Sequence, residues 1–284
     1  TEGVGLEQVK VAEVLALTYL SDLEAVEQLQ NIALSANKVP TVQFAMIELV
    51  KLKAAAQLQY IVINENNAEI SRMASKCLFD LKEIIKFENV AINTDDVEIG
   101  TTALAHLSIF KAVASLQNIA LNAHEVKVAQ TALIYISKLK VVIPLRYVAL
   151  NASNVEVALM ALHSLSKLEA AVNPLRYIAL NANNKIATQA VLYLFDLKAV
   201  DSLGYIAVNA DEVEVARAAL GYLYNLEEIT LLQHIALNNA EIAGEALVYL
   251  HNLKAVSQLR YVALNANNRI ANQAVVQLFY LKAV

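Results

Sequence analysis

The chain has 284 residues, of which 57% are hydrophobic and 17% charged, and its formal net charge at pH 7 is −5. A typical soluble domain carries about 25% charged residues, so much of this chain's surface is expected to be uncharged or covered. The acidic balance argues against a general nucleic-acid-binding protein, which usually presents a basic surface, and no apolar run reaches the roughly 18 residues that span a bilayer.

Cysteine content and the first residues bear on the compartment. Cys77 is the single cysteine, so no intramolecular disulfide forms, and the compartment is left open. The first residues, TEGVGLEQVK, lack the basic and apolar segments of a signal peptide. A cytoplasmic location is therefore the expectation, and Thr1 in place of methionine predicts a processed or excised chain.

One phrase recurs along the whole chain. It reads LRYIALNANN from Leu175 and LRYVALNANN from Leu259, with weaker copies such as LQNIALSANK, LQYIVINENN and FENVAINTDD. Its asparagine recurs at nearly constant intervals. The asparagines of this column are Asn64, Asn93, Asn122, Asn151, Asn181, Asn209, Asn238 and Asn265, with Ser35 one unit earlier. A fixed period of this kind is the signature of a repeat array.

A second column is alanine in every unit and predicts a close helix crossing. Its members are Ala16, Ala45, Ala74, Ala103, Ala132, Ala161, Ala190, Ala219, Ala246 and Ala274. Leucine or isoleucine follows four residues later in each unit. Relative to the alanine, apolar residues stand at −4, 0, +1, +4 and +7, which is one face of a helix with 3.6 residues per turn.

The pattern predicts a short helix, called A, followed by a longer helix, called B, in each unit. In one unit, PLRYIALN (174–181) is helix A and KIATQAVLYLFDLKAV (185–200) is helix B. A lone helix near residues 10–26 precedes nine such pairs. The predicted fold is all-α: a superhelical α-solenoid of tandem antiparallel helix pairs, forming a single domain over residues 1–284. Each pair is too small to bury its apolar faces alone, so neighbouring pairs must stack.

Proline, asparagine and N-capping residues indicate where the predicted helices begin and end. Pro144 and Pro174 stand where helix A should begin. Proline is tolerated in the first turn of a helix, because the N–H groups there have no partner within the helix. The repeated asparagine is a candidate left-handed residue that ends helix A. Helix B is predicted to open with capping boxes. Their residue pairs are Asn66/Glu69, Asp95/Glu98, Ser153/Glu156 and Asp211/Glu214.

Tandem helix pairs with this pattern resemble the HEAT/armadillo class of α-solenoids, and most closely its short HEAT-like repeats. The resemblance covers the chain from about Val11 to Val284 and is one of pattern, because no Asp/Arg column is present. It implies scaffolding and protein binding, usually through the concave surface that the second helices line. A few HEAT-like proteins act on bilin cofactors, although a shared fold does not by itself assign chemistry.

Two columns of helix B, at +2 and +5 from the alanine, point away from the core, and few of their residues are charged. In the second half of the chain they form a possible apolar strip for a protein or peptide partner. The candidate partner-binding residues are Leu192, Phe195, Tyr224, Val248, Val276 and Phe279. The alternative is that tight curvature buries these columns against neighbouring repeats.

Tyrosine and lysine also form columns. Ten of the twelve tyrosines fall at one position of helix A or at +3 of helix B, where packing between repeats is favoured over ligand binding. Lysine occupies +8 in seven of ten units. These lysines could follow an anionic polymer, but a place in the last turn of helix B, where they offset the helix dipole, is the favoured interpretation.

No arrangement typical of catalysis occurs. The five histidines form no metal-ligand spacing, Cys77 has no obvious catalytic partner, and phosphate-loop and nucleophile-elbow motifs are absent. The sequence therefore predicts a protein that is not an enzyme and that takes no cofactor and no metal.

The chain ends in phase with its repeats and without a polar capping helix. Leu278 and Leu281, together with Phe279, are therefore predicted to lie at a chain–chain contact or to adjoin further repeats of a longer array. The first functional hypothesis is a non-enzymatic scaffold that binds a protein or peptide. The second is a subunit that self-assembles through its uncapped ends into an oligomer or filament, and a weaker third is a HEAT-like enzyme acting on a bound cofactor.

Overall fold

A computed structural model describes residues 13–36, 39–65 and 67–282, and within these residues the chain forms 19 α-helices and no strand. The first helix, α1, covers residues 13–22. The predicted lone helix near residues 10–26 thus starts partly outside the described residues and ends earlier than expected. The first half continues with α2 (Val26–Ser35), α3 (Val39–Lys51), α4 (Ala55–Asn64), α5 (Ala68–Asp80), α6 (Ile84–Asn93), α7 (Val97–Ile109), α8 (Val113–Asn122) and α9 (Val126–Lys138). The second half contains α10 (Val142–Asn151), α11 (Val155–Ser166), α12 (Val172–Asn181), α13 (Asn184–Asp196), α14 (Val200–Asn209), α15 (Val213–Asn225), α16 (Ile229–Asn238), α17 (Ala243–Asn252), α18 (Val256–Asn265) and α19 (Asn268–Tyr280).

The helices from α2 onward alternate between the predicted helices A and B. Each even-numbered helix is a short helix A, and it packs against the odd-numbered helix B that follows it. The prediction of an all-α solenoid of tandem helix pairs is therefore confirmed. The chain divides into two compact units: unit 1 is Thr1–Leu139, and unit 2 is Lys140–Val284. Within each unit, helices A also contact helices A of the next pair, and helices B contact helices B.

The core of both units consists of the predicted columns. Nine alanines of the alanine column, from Ala45 to Ala274, have no solvent exposure. Ala16 of α1 is exposed, because α1 has no helix A before it within the described residues. The leucine or isoleucine four residues further on is equally buried in α3 to α17, and Leu278 is 6% exposed. The alanine column and the leucine column thus both belong to the core, as the pattern predicted.

The repeated asparagine ends helix A, although not in the predicted way. Asn181 has the last helical position of α12, the following residue Ala182 is extended, and no asparagine of the column has a positive φ. Its Nδ2 instead donates a 2.7 Å hydrogen bond to the Tyr177 carbonyl in the last turn, so the side chain binds back to its own helix. The equivalent bond to the carbonyl four residues earlier recurs in all eight units with this asparagine, and Ser35 Oγ donates it to Asn31.

The left-handed residues lie after helix B, in the lysine column. The backbone φ is between 53° and 57° at nine positions. They are Glu24, Lys53, Lys82, Lys111, Lys140, Lys198, Glu227, Lys254 and Lys282. The predicted place of these lysines in the last turn of helix B was therefore wrong: α13 ends at Asp196, and helix A begins again at Val200. Lys198 N–H donates to Phe195 O and Ala199 N–H to Leu194 O, the bonds of a Schellman motif.

The linker between α11 and α12 has no left-handed residue, and the sequence shows why. Glu169 occupies the lysine column but has no positive φ. The spacing from Asn151 to Asn181 is the longest in the asparagine column, and the linker carries an extra alanine, Ala171, before Val172. The extra residue lets the chain turn without a left-handed residue. The spacing between Asn238 and Asn265 is the shortest instead, and α17 within it is a shortened helix B.

Two glutamates of this column, Glu227 and Glu169, provide a matched test of the turn. Replacing Glu227 by glycine is expected to raise the free energy of unfolding by up to about 1 kcal/mol, because a non-glycine residue in the left-handed region costs roughly 1–2 kcal/mol. Replacing Glu169 by glycine is expected to lower it by roughly 0.5–1 kcal/mol, because only the entropy of the unfolded chain increases. Urea unfolding measures both. Shifts of the same sign would contradict the assigned turn geometry.

Helix B is capped one residue later than predicted. Asp95, Ser153 and Asp211 lie outside the helices, and the N-cap residues are Asp96, Asn154 and Glu212. Asp96 and Asn154 accept backbone N–H groups through their side chains, whereas Glu212 makes no such bond. Asn66 lies outside the described residues, and Asn67 is the cap of α5. In the phrase LNANN, Asn183 and Asn267 cap α13 and α19.

Helix A begins earlier than the prolines indicate. Helices α10 and α12 start at Val142 and Val172, two residues before Pro144 and Pro174. Both prolines still lie in the first turn, where a missing N–H costs no helical hydrogen bond.

Candidate partner-binding surface

The candidate strip, defined as Leu192, Phe195, Tyr224, Val248, Val276 and Phe279, lies on four helices B of unit 2. These are α13, α15, α17 and α19, and the buried alanine and leucine columns of each turn the strip residues outward. Val248 is 43%, Val276 49% and Phe279 69% exposed. Leu192, Phe195 and Tyr224 are half-buried. The strip therefore becomes more accessible towards α19.

Two aromatic stacks explain why part of the strip is covered. Phe195 of α13 stacks on Tyr222 of α15, with ring centroids 4.5 Å apart. Tyr224 of α15 stacks on Tyr249 of α17 at 4.3 Å, with the rings only 12° from parallel. Phe195 and Tyr224 thus each pack one face on a neighbouring repeat, as the alternative interpretation anticipates, whereas Phe279 does not. The same contact holds the ring in place, which lowers the entropy lost when a partner binds.

The tyrosine column at +3 of helix B supplies partners that the prediction of the strip did not include. Tyr222 and Tyr249 pack between repeats, as that column was predicted to do. Tyr193 Oη lies 3.1 Å from His163 Nδ1, and burial raises the pKa of Tyr193. His251 Nδ1 lies 3.2 Å from the carbonyl of Gln277. In both aromatic stacks, a residue at +5 of one helix B contacts the tyrosine at +3 of the next helix B. This regular pairing of positions was the signal in the sequence that could have predicted the stacks.

The outer face of α19 exposes several large apolar side chains. Val275 belongs to the column that is buried at Val191, Leu220 and Leu247, yet it is 46% exposed. Tyr280 is 69% exposed, Leu281 is half-buried and Leu278 is buried. Of the predicted contact residues, Phe279 is thus accessible, Leu281 is partly so, and Leu278 packs into its own repeat.

Cys77 and His106 are partly buried side chains of unit 1. Burial raises the pKa of Cys77 to about 11, with Asp80 adding to the effect, so its thiol is protonated at neutral pH. His106 lies between Phe79 and Phe87, with ring centroids 4.7 and 4.8 Å away, and burial lowers its pKa. Its Nδ1 is buried and has no hydrogen-bond partner. Neutral His106 is therefore favoured by folding, and this contribution to stability is lost as the pH falls below about 6.5, the ordinary value for histidine.

Metal-binding clusters and membrane-spanning helices are both absent from the described part of the chain. No group of three or more His, Cys, Asp or Glu side chains among the described residues is arranged to hold a metal ion. No helix that the structure describes is long and apolar enough to cross a membrane.

Fold and surface together define an all-α helical repeat protein. No family model matches the chain, and no curated protein matches it. Among solved structures, one similar chain comes from work titled "Computational Design of Self-Assembling Cyclic Protein Homooligomers". It is 16% identical, and the match covers 96% of this chain and 98% of that chain, with a TM-score of 0.14. At that TM-score the similarity supports no conclusion about this chain's function.

Proposed function

We propose that the chain is a non-enzymatic, HEAT-like repeat scaffold that binds a protein or peptide partner along the strip on helices B of unit 2. The observation that carries the proposal is the exposure of Val248, Val276 and Phe279 next to stacked aromatic rings. Exposed apolar residues that lie together typically mark interaction sites. Aromatic side chains fixed by packing are typical anchors of an interface.

A displayed library of random peptides, selected on the purified protein, tests this proposal. Peptides enriched on the parent are expected to bind a Val276→Ser/Phe279→Ser variant at least about tenfold more weakly, because a central aromatic anchor is commonly worth about 2 kcal/mol or more. The stability of this variant should be nearly unchanged, since both side chains are about half or more exposed.

Leu264 provides the matched control. It is a large apolar residue that is 84% exposed, but it lies on α18, a helix A. Leu264→Ser should leave binding of the enriched peptides unchanged. Peptides that bind the parent and both variants equally, or a selection that enriches none, would contradict the strip as the binding surface.

Self-association through α19 is a second candidate function, favoured by the exposure of Val275, Phe279 and Tyr280 on one helix. A second copy of the chain, or a further repeat, would cover these side chains and bury the column that is enclosed in earlier repeats. Val275→Lys should then abolish any growth in molar mass with concentration. A mass that grows equally in parent and variant would contradict a contact through this face.

A further inference from the structure

Helices A of unit 2 carry a motif that the strip does not use. Leu-Arg-Tyr occurs at 145–147, 175–177 and 259–261. The guanidinium carbon of Arg146 on α10 lies 5.0 Å from the ring centroid of Tyr177 on α12. Arg176 on α12 lies 5.3 Å from the ring centroid of Tyr205 on α14. Arg146 and Arg176 thus each form a cation–π contact with the tyrosine of the following repeat.

These two arginines keep their hydrogen-bonding capacity. Within the described residues, neither Arg146 nor Arg176 makes a hydrogen bond or an ion pair. The cation–π contact occupies none of the guanidinium N–H donors, which lie in the plane of that group and can bind a carboxylate bidentately. Because the tyrosine already orders the side chain, less entropy is lost when an anion binds.

The surroundings of these arginines are accessible and carry further cationic charge. Tyr177 and Tyr205 are 49% and 50% exposed. An open groove beside Arg176, between α12 and α14, is lined by Lys198 and Asn173 as well as by one acidic residue, Asp201. In unit 1 the cationic motif is absent from the sequence. The column of Arg146 holds Gln30, Gln59, Glu88 and Gln117 there instead.

We infer that this Arg–Tyr face, defined as Arg146, Tyr177, Arg176, Tyr205 and Lys198, binds an extended acidic peptide with carboxylates at every third residue. Packed helices lie roughly 8–10 Å apart, so successive arginines are about one helix spacing apart. An extended polyproline-type chain rises about 3.1 Å per residue and presents every third side chain on one face, at about 9 Å intervals. The charge and spacing of such a peptide match the two arginines.

A protein-derived ligand fits this face better than a nucleic acid does. The chain as a whole carries a net charge of −5, and Asp201 borders the groove. A nucleic-acid backbone gains affinity from many phosphate contacts, typically across a broad basic surface. Two arginines and one lysine on an acidic protein can pair with the few carboxylates of a peptide, but they do not form the broad basic surface that a nucleic acid needs.

A labelled peptide of Glu-Pro-Pro repeats tests the inference by fluorescence anisotropy on the full chain. It is expected to bind in low salt, whereas the same peptide with glutamine at each glutamate should bind roughly tenfold to a hundredfold more weakly. The Arg146→Gln/Arg176→Gln variant should lose affinity for the glutamate peptide to the same degree. Arg146→Lys/Arg176→Lys should recover only part of it, since lysine lacks the bidentate fork.

Arg217→Gln is the matched control, because Arg217 lies on α15, a helix B, and is paired with Glu245 at 2.6 Å. It should bind the glutamate peptide as the parent does, and circular dichroism should report the same helix content for all variants. Equal binding of the two peptides, or of the parent and the Arg146→Gln/Arg176→Gln variant, would overturn the inference. So would an oligothymidine strand that binds more tightly than the peptide and depends on the same arginines. The arginines and tyrosines of the face lie on helices A, and Lys198 lies in the turn before α14, so these results are independent of the strip on helices B.

Discussion

Replacing Ala190 by leucine is expected to lower the free energy of unfolding by about 1–3 kcal/mol. Ala190 has no solvent exposure and stands in the alanine column of α13, between residues that are themselves enclosed. A leucine adds three carbon atoms where no space is available, so the surrounding helices must shift or the side chain must leave its preferred rotamer. Thermal or urea unfolding of the purified variant measures the loss, and Ala161→Leu should behave in the same way.

Ala16→Leu is the control within the same column. Ala16 lies on α1 and is exposed, so the added carbon atoms meet solvent and the stability should change by less than about 0.5 kcal/mol. If Ala190→Leu and Ala161→Leu unfold like the parent, the alanine column is not a site of close packing, and its recurrence needs another explanation.

Gly100→Ala is expected to destabilise unit 1, although alanine is the better helix former. An added Cβ at Gly100 of α7 would lie 2.6 Å from Cγ2 of Val128 on α9 and 3.2 Å from Cγ2 of Thr94. A β-branched valine in a helix has one strongly preferred rotamer, so it moves aside only at a cost. Overpacking of this kind lowers the free energy of unfolding by roughly 1–3 kcal/mol. The better helix propensity of alanine raises it by only about 1 kcal/mol, so the net effect is a loss of stability.

Gly221→Ala is the matched substitution without the clash. The nearest atom to an added Cβ there is Tyr249 Oη at 3.9 Å, so the helix propensity of alanine should raise the stability by about 1 kcal/mol. The cost of Gly100→Ala should fall when Val128 is also alanine, which a double-mutant cycle would detect. Equal gains for both glycine substitutions would contradict the close approach of α7 and α9.

The period and the apolar columns were sufficient to predict the helix pairs, because burial on one face of a helix leaves a strong pattern in the sequence. The shortest and the longest spacings of the asparagine column also had visible structural consequences, in the short α17 and in the linker at Glu169. Helix ends were predicted less well. Asparagine is a common left-handed residue, yet Asn181 uses its side chain to bind a carbonyl, and Lys198 takes the left-handed position because the Schellman turn there is fixed by backbone hydrogen bonds.

For the candidate surfaces, too, the sequence predicted some features and not others. The outward direction of Phe195 and Phe279 follows from helical spacing, but the stack of Phe195 on Tyr222 depends on how one repeat is placed against the next. The same holds for Arg146 and Tyr177, which lie in successive repeats. Contacts between repeats depend on small shifts and rotations that the hydrophobic period does not specify.

Light scattering of the purified chain over a wide concentration series tests the proposed scaffold most directly, because it separates a protein that binds other partners from one that assembles with itself. The scaffold predicts a molar mass that stays at 31.0 kDa across the series. A mass that grows with concentration in the parent, and that returns to the value for one chain in Phe279→Ser, would contradict the scaffold and assign the exposed residues of α19 to self-assembly.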